Sequence, residues 1–193
     1  AQVFCRSRDG LASPDIQLLF SPASYDERVF GRLERKPGAT IAVSIARPES
    51  RGTIMATSPD PTLKPAIKPN YLSAPGDMRV ALAGLRHARR IFAAPAFAAH
   101  AVQEIAPGAE VAAEADLEAF VRANGTTIYH PVGTCRMGVD PMAVVDPSLK
   151  VRGVDGLRVI DASIMPAVTT GNTNAPTIMI AEKGAAMIRE TYR

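Results

Sequence analysis

"VVDPSLKVRGVDGLRVIDASIMP", residues 144–166, decides how this chain is read. It holds two short β segments, Leu149–Gly153 and Leu157–Asp161, split by a turn at Val154-Asp155-Gly156. Asp161 closes the second segment. A carboxylate at the carboxyl end of a strand in an α/β sheet commonly faces a ligand crevice. Taken alone, Asp161 is more simply the aspartate of a plain turn.

Downstream, "TTGNTNAP" is a polar loop, and residues 177–193 carry helical periodicity. Asn172, Thr173 and Asn174 are all good caps for that helix, and Pro176 falls in its first turn, where a missing N–H costs nothing. A helix start carries unpaired N–H groups and partial positive charge, which suits an anion or a developing negative charge. Alone, this too reads as an ordinary capped helix. Glu182, Lys183, Ala186, Arg189 and Glu190 mark a polar face; Ile178, Ala181, Ala185 and Ile188 mark the opposite, apolar one.

Upstream lies "YHPVGTCRMG", residues 129–138. Its histidine, His130, carries a side chain suited to proton transfer and sits in a turn-rich segment, where a loop can bring it to a ligand presented by a rigid scaffold. Before it, "EADLEAFVRANG" reads as a helix over 114–123 with acidic residues early and Asn124-Gly125 as its stop. A longer helix over 77–94 is marked by Met78, Ala81, Leu82, Leu85, Ala88 and Phe92, with Asp77 as a cap or in its first turn. The first third reads as strands: "AQVFCRS", "DIQLLFS" and "TIAVSIARP", with "SRGTIMATS" forming a hairpin with the strand before it. Pro59, Pro61, Pro65 and Pro69 then exclude a central strand and favour an edge or an extended crossing segment.

The chain has 193 residues, 47% of them hydrophobic, enough for one sizeable core or two small regions sharing one. The net charge of +3 is mild, and its densest cluster, Arg86-His87-Ala88-Arg89-Arg90, reads as a solvated helix face. A nucleic-acid footprint needs a broader basic stripe or a recognisable module, and aromatics are only 5% here. No apolar run reaches bilayer length, and no charged-then-apolar leader opens the chain. Cys5 and Cys135 match no metal spacing and are expected to be free thiols. Three scattered histidines supply no metal cluster, and His87 and His100 read as surface residues. GxSxG, HExxH and Walker patterns are absent.

Taken together, "YHPVGTCRMG", "VVDPSLKVRGVDGLRVIDASIMP" and "TGNTNAPTIMIAEKGAAMI" closely resemble the carboxy-terminal signature of the GMC (glucose–methanol–choline) flavoprotein oxidoreductases. "RPESRGTIMATSPDPTLKPAIKPNYL" resembles the same family's substrate-domain segment. Within that family the chain resembles the choline-dehydrogenase-like alcohol dehydrogenases, through "ASIMP" and "GNTNAPTIMIAEK". The resemblance implies that His130 is the active-site histidine and Asn174 the second polar residue of the catalytic pair. It implies that Asp161 and Ala162 pass the phosphate and ribityl region of FAD, and that Asn172, Thr173, Ala175 and Pro176 belong to the loop and helix start against the flavin ring. A histidine can take the alcohol proton; an asparagine cannot, but it can hold the alcohol oxygen.

The family binds FAD through an amino-terminal dinucleotide fold with a GxGxxG turn, and this sequence contains none. The expectation is therefore the carboxy-terminal part of a family member, needing an amino-terminal FAD-binding portion as partner. Alone it is expected to be inactive, not to retain FAD, and to self-associate through an exposed tail. The expected fold class is α+β. Residues 1–125 form a substrate-binding domain, an antiparallel sheet over 1–72 covered on one face by the two helices. Residues 126–193 form a catalytic segment that would complete an FAD-binding α/β domain. Three functions stand open: oxidation of a primary alcohol with FAD and a small alcohol substrate, a hydroxynitrile-lyase-like reaction on the same scaffold, and a non-catalytic remnant. The expected location is cytoplasmic, or membrane-associated from the cytoplasmic side.

Overall fold

The computed structural model describes residues 1–25, 31–100 and 103–191. The last two residues of the expected final helix, Tyr192 and Arg193, lie outside the described residues. The chain divides into two compact units: residues 1–50 with 72–126, and residues 51–71 with 127–193. The division differs from the sequence reading at 51–71, which leave the first unit and group with the tail.

In the first unit, β1 (Gln2–Cys5), β2 (Ile16–Ser21) and β3 (Thr40–Ile45) form an antiparallel sheet in the order β1-β2-β3. Ile16 pairs with both Cys5 and Ile45, and Leu18 with Val3 and Val43. Alternation along β2 puts Ile16 and Leu18 on one face, where both are buried, and Gln17 on the other. Gln17 is buried too, and its Nε2 donates to Gln2 Oε1 at 2.9 Å.

The helix α1 (Pro75–Phe92) lies on the Ile16 face. It starts with Pro at N1, and Asp77 is in its first turn, not at its cap. Asp77 is 2% exposed, yet it is satisfied: its carboxylate accepts from the backbone N–H of Glu49 at 2.8 Å and of Ser50 at 2.9 Å. Ser50 Oγ in turn accepts from Ala74 N–H at 3.0 Å. Gly84 lets α1 approach the sheet closely, since a Cβ there would overlap Val43 Cγ1. A short α2 (Pro95–Ala98), not foreseen from sequence, follows. The helix α3 (Glu114–Asn124) does not cover the sheet as expected; it packs on α1, burying Leu117 against Met78 and Leu82. The basic cluster is engaged in this packing. Arg86 pairs with Glu114 at 2.6 Å, and Arg89 binds Glu104 and the carbonyls of Gly108 and Val111.

In the second unit, β4 (Thr53–Met55) pairs antiparallel with β5 (Ala66–Lys68) as a separate two-stranded sheet. The expected hairpin of β4 with the strand before it is therefore wrong. β5 occupies the three residues between Pro65 and Pro69, and all three pair with β4. The foreseen β pairing within 149–161 is present, as bridges: Lys150 with Arg158, closed by Val159 N–H to Leu149 C=O at 3.1 Å and Val151 N–H to Leu157 C=O at 3.0 Å. Gly153 and Gly156 turn it at positive φ. Val145, Leu149, Ile164, Met165 and Ile180 form the core of this unit.

The last helix, α4 (Asn174–Thr191), buries a different face from the one expected. Ile180 and Gly184 are buried and Met187 packs on the core, whereas Ile178 and Met179 are more than half exposed and Ile188 and Ala181 are also exposed. The physical reason is Gly184: a Cβ there would overlap Ile160, so the helix axis comes closest to the chain at the one residue without a side chain. The whole is α+β, with small antiparallel sheets and helices.

Candidate active site

The segment 133–137 runs beside a 3₁₀ turn, Ala162–Ile164. Cys135 N–H donates to Ser163 C=O at 3.0 Å, and Met137 N–H to Ile164 C=O at 2.8 Å. Gly133, at positive φ, passes close to Met165 C=O. Arg136 and Asp140 close the far end of this loop as a two-pronged pair at 2.6 and 2.8 Å. The Arg136 hydrogen bonds, with help from Met142 N–H, hold the Asp140 carboxyl down to about 2. Arg136 is thus a loop clamp in this unit.

Asp161 caps the 3₁₀ turn through a bond from Ser163 N–H at 2.8 Å. It is exposed, and Ala162 beside it packs on the core. The same turn contacts α4. The site is therefore assembled from three pieces of chain: the His130 loop, the 161–164 turn and the start of α4.

At that start, Thr173 is the residue before the helix, and its carbonyl accepts from Thr177 N–H at 3.0 Å and Thr177 Oγ1 at 2.6 Å. Thr173 Oγ1 lies 2.8 Å from His130 Nδ1, and Asn172 Nδ2 lies 2.8 Å from His130 Nε2. Both ring nitrogens are engaged. His130 is half-buried, Thr173 is buried at 8% exposure, and Asn172 is exposed. Tyr129, at positive φ and two-thirds exposed, turns the backbone into this position.

Of the residues expected at the site, His130, Asn172 and Thr173 are brought into direct contact. Asn174 and Ala175 are exposed in the first turn of α4 and Pro176 is half-buried there; no hydrogen bond joins Asn174 to His130 among the described residues. The ring-to-hydroxyl contact spans 43 positions in sequence, and nothing local in "NTN" signals which of the three side chains turns inward. Among the described residues no group of three His, Cys, Asp or Glu is placed to hold a metal ion, and no helix is long and apolar enough to cross a membrane.

Comparison with known proteins gives four likenesses. The family model described as GMC oxidoreductase matches residues 48–181. An alcohol dehydrogenase (acceptor) of Pseudomonas putida is 46% identical over 185 residues, covering 96% of this chain and 33% of that protein. An oxygen-dependent choline dehydrogenase of Rhizobium etli is 44% identical over 189 residues, covering 96% of this chain and 34% of that protein. Pyridoxine 4-oxidase from "Mesorbium loti" superposes with a TM-score of 0.89 at 30% identity, covering 98% of this chain and 37% of that structure. The chain spans about a third of the length of the curated relatives it matches.

Proposed function

The chain belongs to the GMC oxidoreductase family, and from that premise we propose that it forms the substrate-binding and catalytic part of an FAD-dependent alcohol dehydrogenase, with a primary alcohol of the choline-like class as substrate. The observation that carries this reading is His130. Its imidazole is held on both nitrogens by the residues that lead into α4, at the point where the polar loop and the helix start meet.

The start of α4 fits the ring end of a flavin. A helix start leaves its first N–H groups without intrahelical acceptors, and here those of Asn174 and Ala175 are on an exposed turn. Pro176 gives up an N–H at no cost. Asp161, Ala162, Asn172, Thr173, Ala175 and Pro176 are the residues that would lie along the cofactor. The pyrophosphate needs a glycine-rich cradle that this sequence does not contain, so that end of FAD is held by residues outside this chain. The exposed Ile178 and Met179 of α4 are covered by the same partner portion. When bound, FAD supplies the acceptor for the hydride that leaves the alcohol carbon. His130 takes the hydroxyl proton and Asn174 holds the alcohol oxygen.

The test is anaerobic stopped-flow reduction of the flavin by primary alcohols in the full-length protein, with bound flavin measured for each variant. His130→Ala is expected to slow reduction by about 10²–10⁴, the range of general acid–base catalysis, with flavin retained. Asn174→Ala is expected to cost less, since the base survives. A His130→Ala protein that reduces within a few-fold of wild type, or a full-length protein that carries no flavin, defeats the proposal.

A further inference from the structure

The geometry points to Thr173, a buried residue, as the one that positions His130: its hydroxyl accepts the Nδ1 proton and so fixes the ring in the tautomer whose bare nitrogen, Nε2, is turned to the exposed side chain of Asn172. This rests on the reading of His130 as the base.

A neutral imidazole has one N–H and one bare nitrogen. With the Asn172 amide oriented as it stands, Nδ2 lies 2.8 Å from Nε2; an amide NH₂ only donates, so in this arrangement Nε2 accepts. The ring proton then sits on Nδ1, and it points at Thr173 Oγ1, also 2.8 Å away. The two partners differ in how firmly they are held. Thr173 is buried and β-branched, hence stiff at χ1, and its carbonyl is tied into the first turn of α4 by Thr177. Asn172 is exposed. The buried partner is on the nitrogen that keeps its proton, and the solvent-facing partner is on the nitrogen that must gain one.

An alcohol hydroxyl reaches Nε2 by taking the place of the Asn172 amide. The alcohol O–H bond breaks and an Nε2–H bond forms, leaving an alkoxide and an imidazolium. Nδ1–H donates to Thr173 throughout, so the ring does not turn during the transfer. Sequence resemblance places Thr173 along the flavin; in the structure its hydroxyl is engaged by the histidine, which makes it a positioning residue for the base.

The experiment is ¹⁵N NMR of the full-length flavoprotein labelled only at histidine, with the His130 signals identified by their loss in His130→Gln. In the neutral ring, wild type is expected to show the proton on Nδ1. Thr173→Val, which keeps the shape and removes the acceptor, is expected to lose that single tautomer. It should also slow flavin reduction by about 3- to 10-fold, the worth of one hydrogen bond, with the half-saturating alcohol concentration unchanged. Thr173→Ser is expected to restore both. A wild-type ring protonated on Nε2 overturns the inference, as does a Thr173→Val protein with unchanged tautomer and unchanged rate. If Thr173→Val folds poorly, the wild-type tautomer and the Thr173→Ser protein decide. The tautomer is read without turnover, so a failure here is separable from a failure of the proposed alcohol oxidation, which His130→Ala reports.

Discussion

Gly184→Ala puts the seating of α4 to the test. Two effects oppose each other. An alanine in a helix interior is favoured over glycine by about 1 kcal/mol. Against this, the new Cβ would overlap Ile160 Cγ2 and lie 2.9 Å from its Cδ1 and 3.2 Å from its Cγ1. Cγ2 hangs directly on a β-branched carbon with little rotamer freedom, so side-chain rotation alone does not clear it. Overpacking of this kind costs about 1–3 kcal/mol, and overlap with three atoms of one residue points to the upper half of that range. The helix gain offsets part of it, leaving a net loss of about 1–2 kcal/mol. The assay is native-state hydrogen exchange of the slowest α4 amides, which reads the opening free energy of this helix directly. Ile160→Ala removes all three clashing atoms, so in the double variant the added Cβ should cost nothing and recover its helix benefit. The cycle should therefore show a coupling of about 2 kcal/mol or more. An α4 in Gly184→Ala as stable as wild type, or a cycle that is additive, refutes the account of why this helix turns its glycine inward.

Three further expectations follow from the same structure. Asp77→Ala removes two charge-assisted bonds to Glu49 and Ser50 N–H groups; water reaches part of that segment, so the loss should be about 2–4 kcal/mol in urea unfolding, and a value under about 0.5 kcal/mol would show the bonds to be incidental. Asp140 is held at about 2, below the ordinary 3.8, so its contribution is complete above that ordinary value and is lost as pH falls towards 2. A carboxyl ¹³C titration should show that midpoint, and Arg136→Ala should return it to the ordinary carboxylate range; an unmoved midpoint would show that Arg136 is not the cause. Gly84→Val should destabilise the first unit by about 1–3 kcal/mol or more in the same urea assay, since it drives two methyls towards Val43; a neutral result would mean that α1 floats above the sheet.

The elements with a strong period were legible in the sequence. The apolar residues of α1 recur every three to four positions, and its extent differs from the expected 77–94 by two residues at each end. The three strands of the first sheet were readable for the same reason, with period two. What hydropathy missed is what small and polar residues do. The buried side of α4 is marked by Thr173, Ile180, Gly184 and Met187, and neither a glycine nor a threonine registers as apolar, so the more obvious isoleucines were assigned inward. β5 was hidden because prolines bracket it. His130 stood out through its motif, whereas the grip on its ring depends on a contact between distant segments that no local pattern encodes.

The chain leaves the first unit after Ser50 and re-enters it at Leu72, and Asp77 binds the departing backbone while Ser50 binds the returning one. The two ends of the excursion are thus knotted together at a single buried carboxylate. Closing a loop becomes only about 0.6 kcal/mol harder each time its length doubles. With exit and return already joined, residues 51–71 behave as a cassette: they can be lengthened, shortened or exchanged while the sheet and α1 keep their seams. A lineage can therefore rewrite this stretch and leave the first unit unaltered.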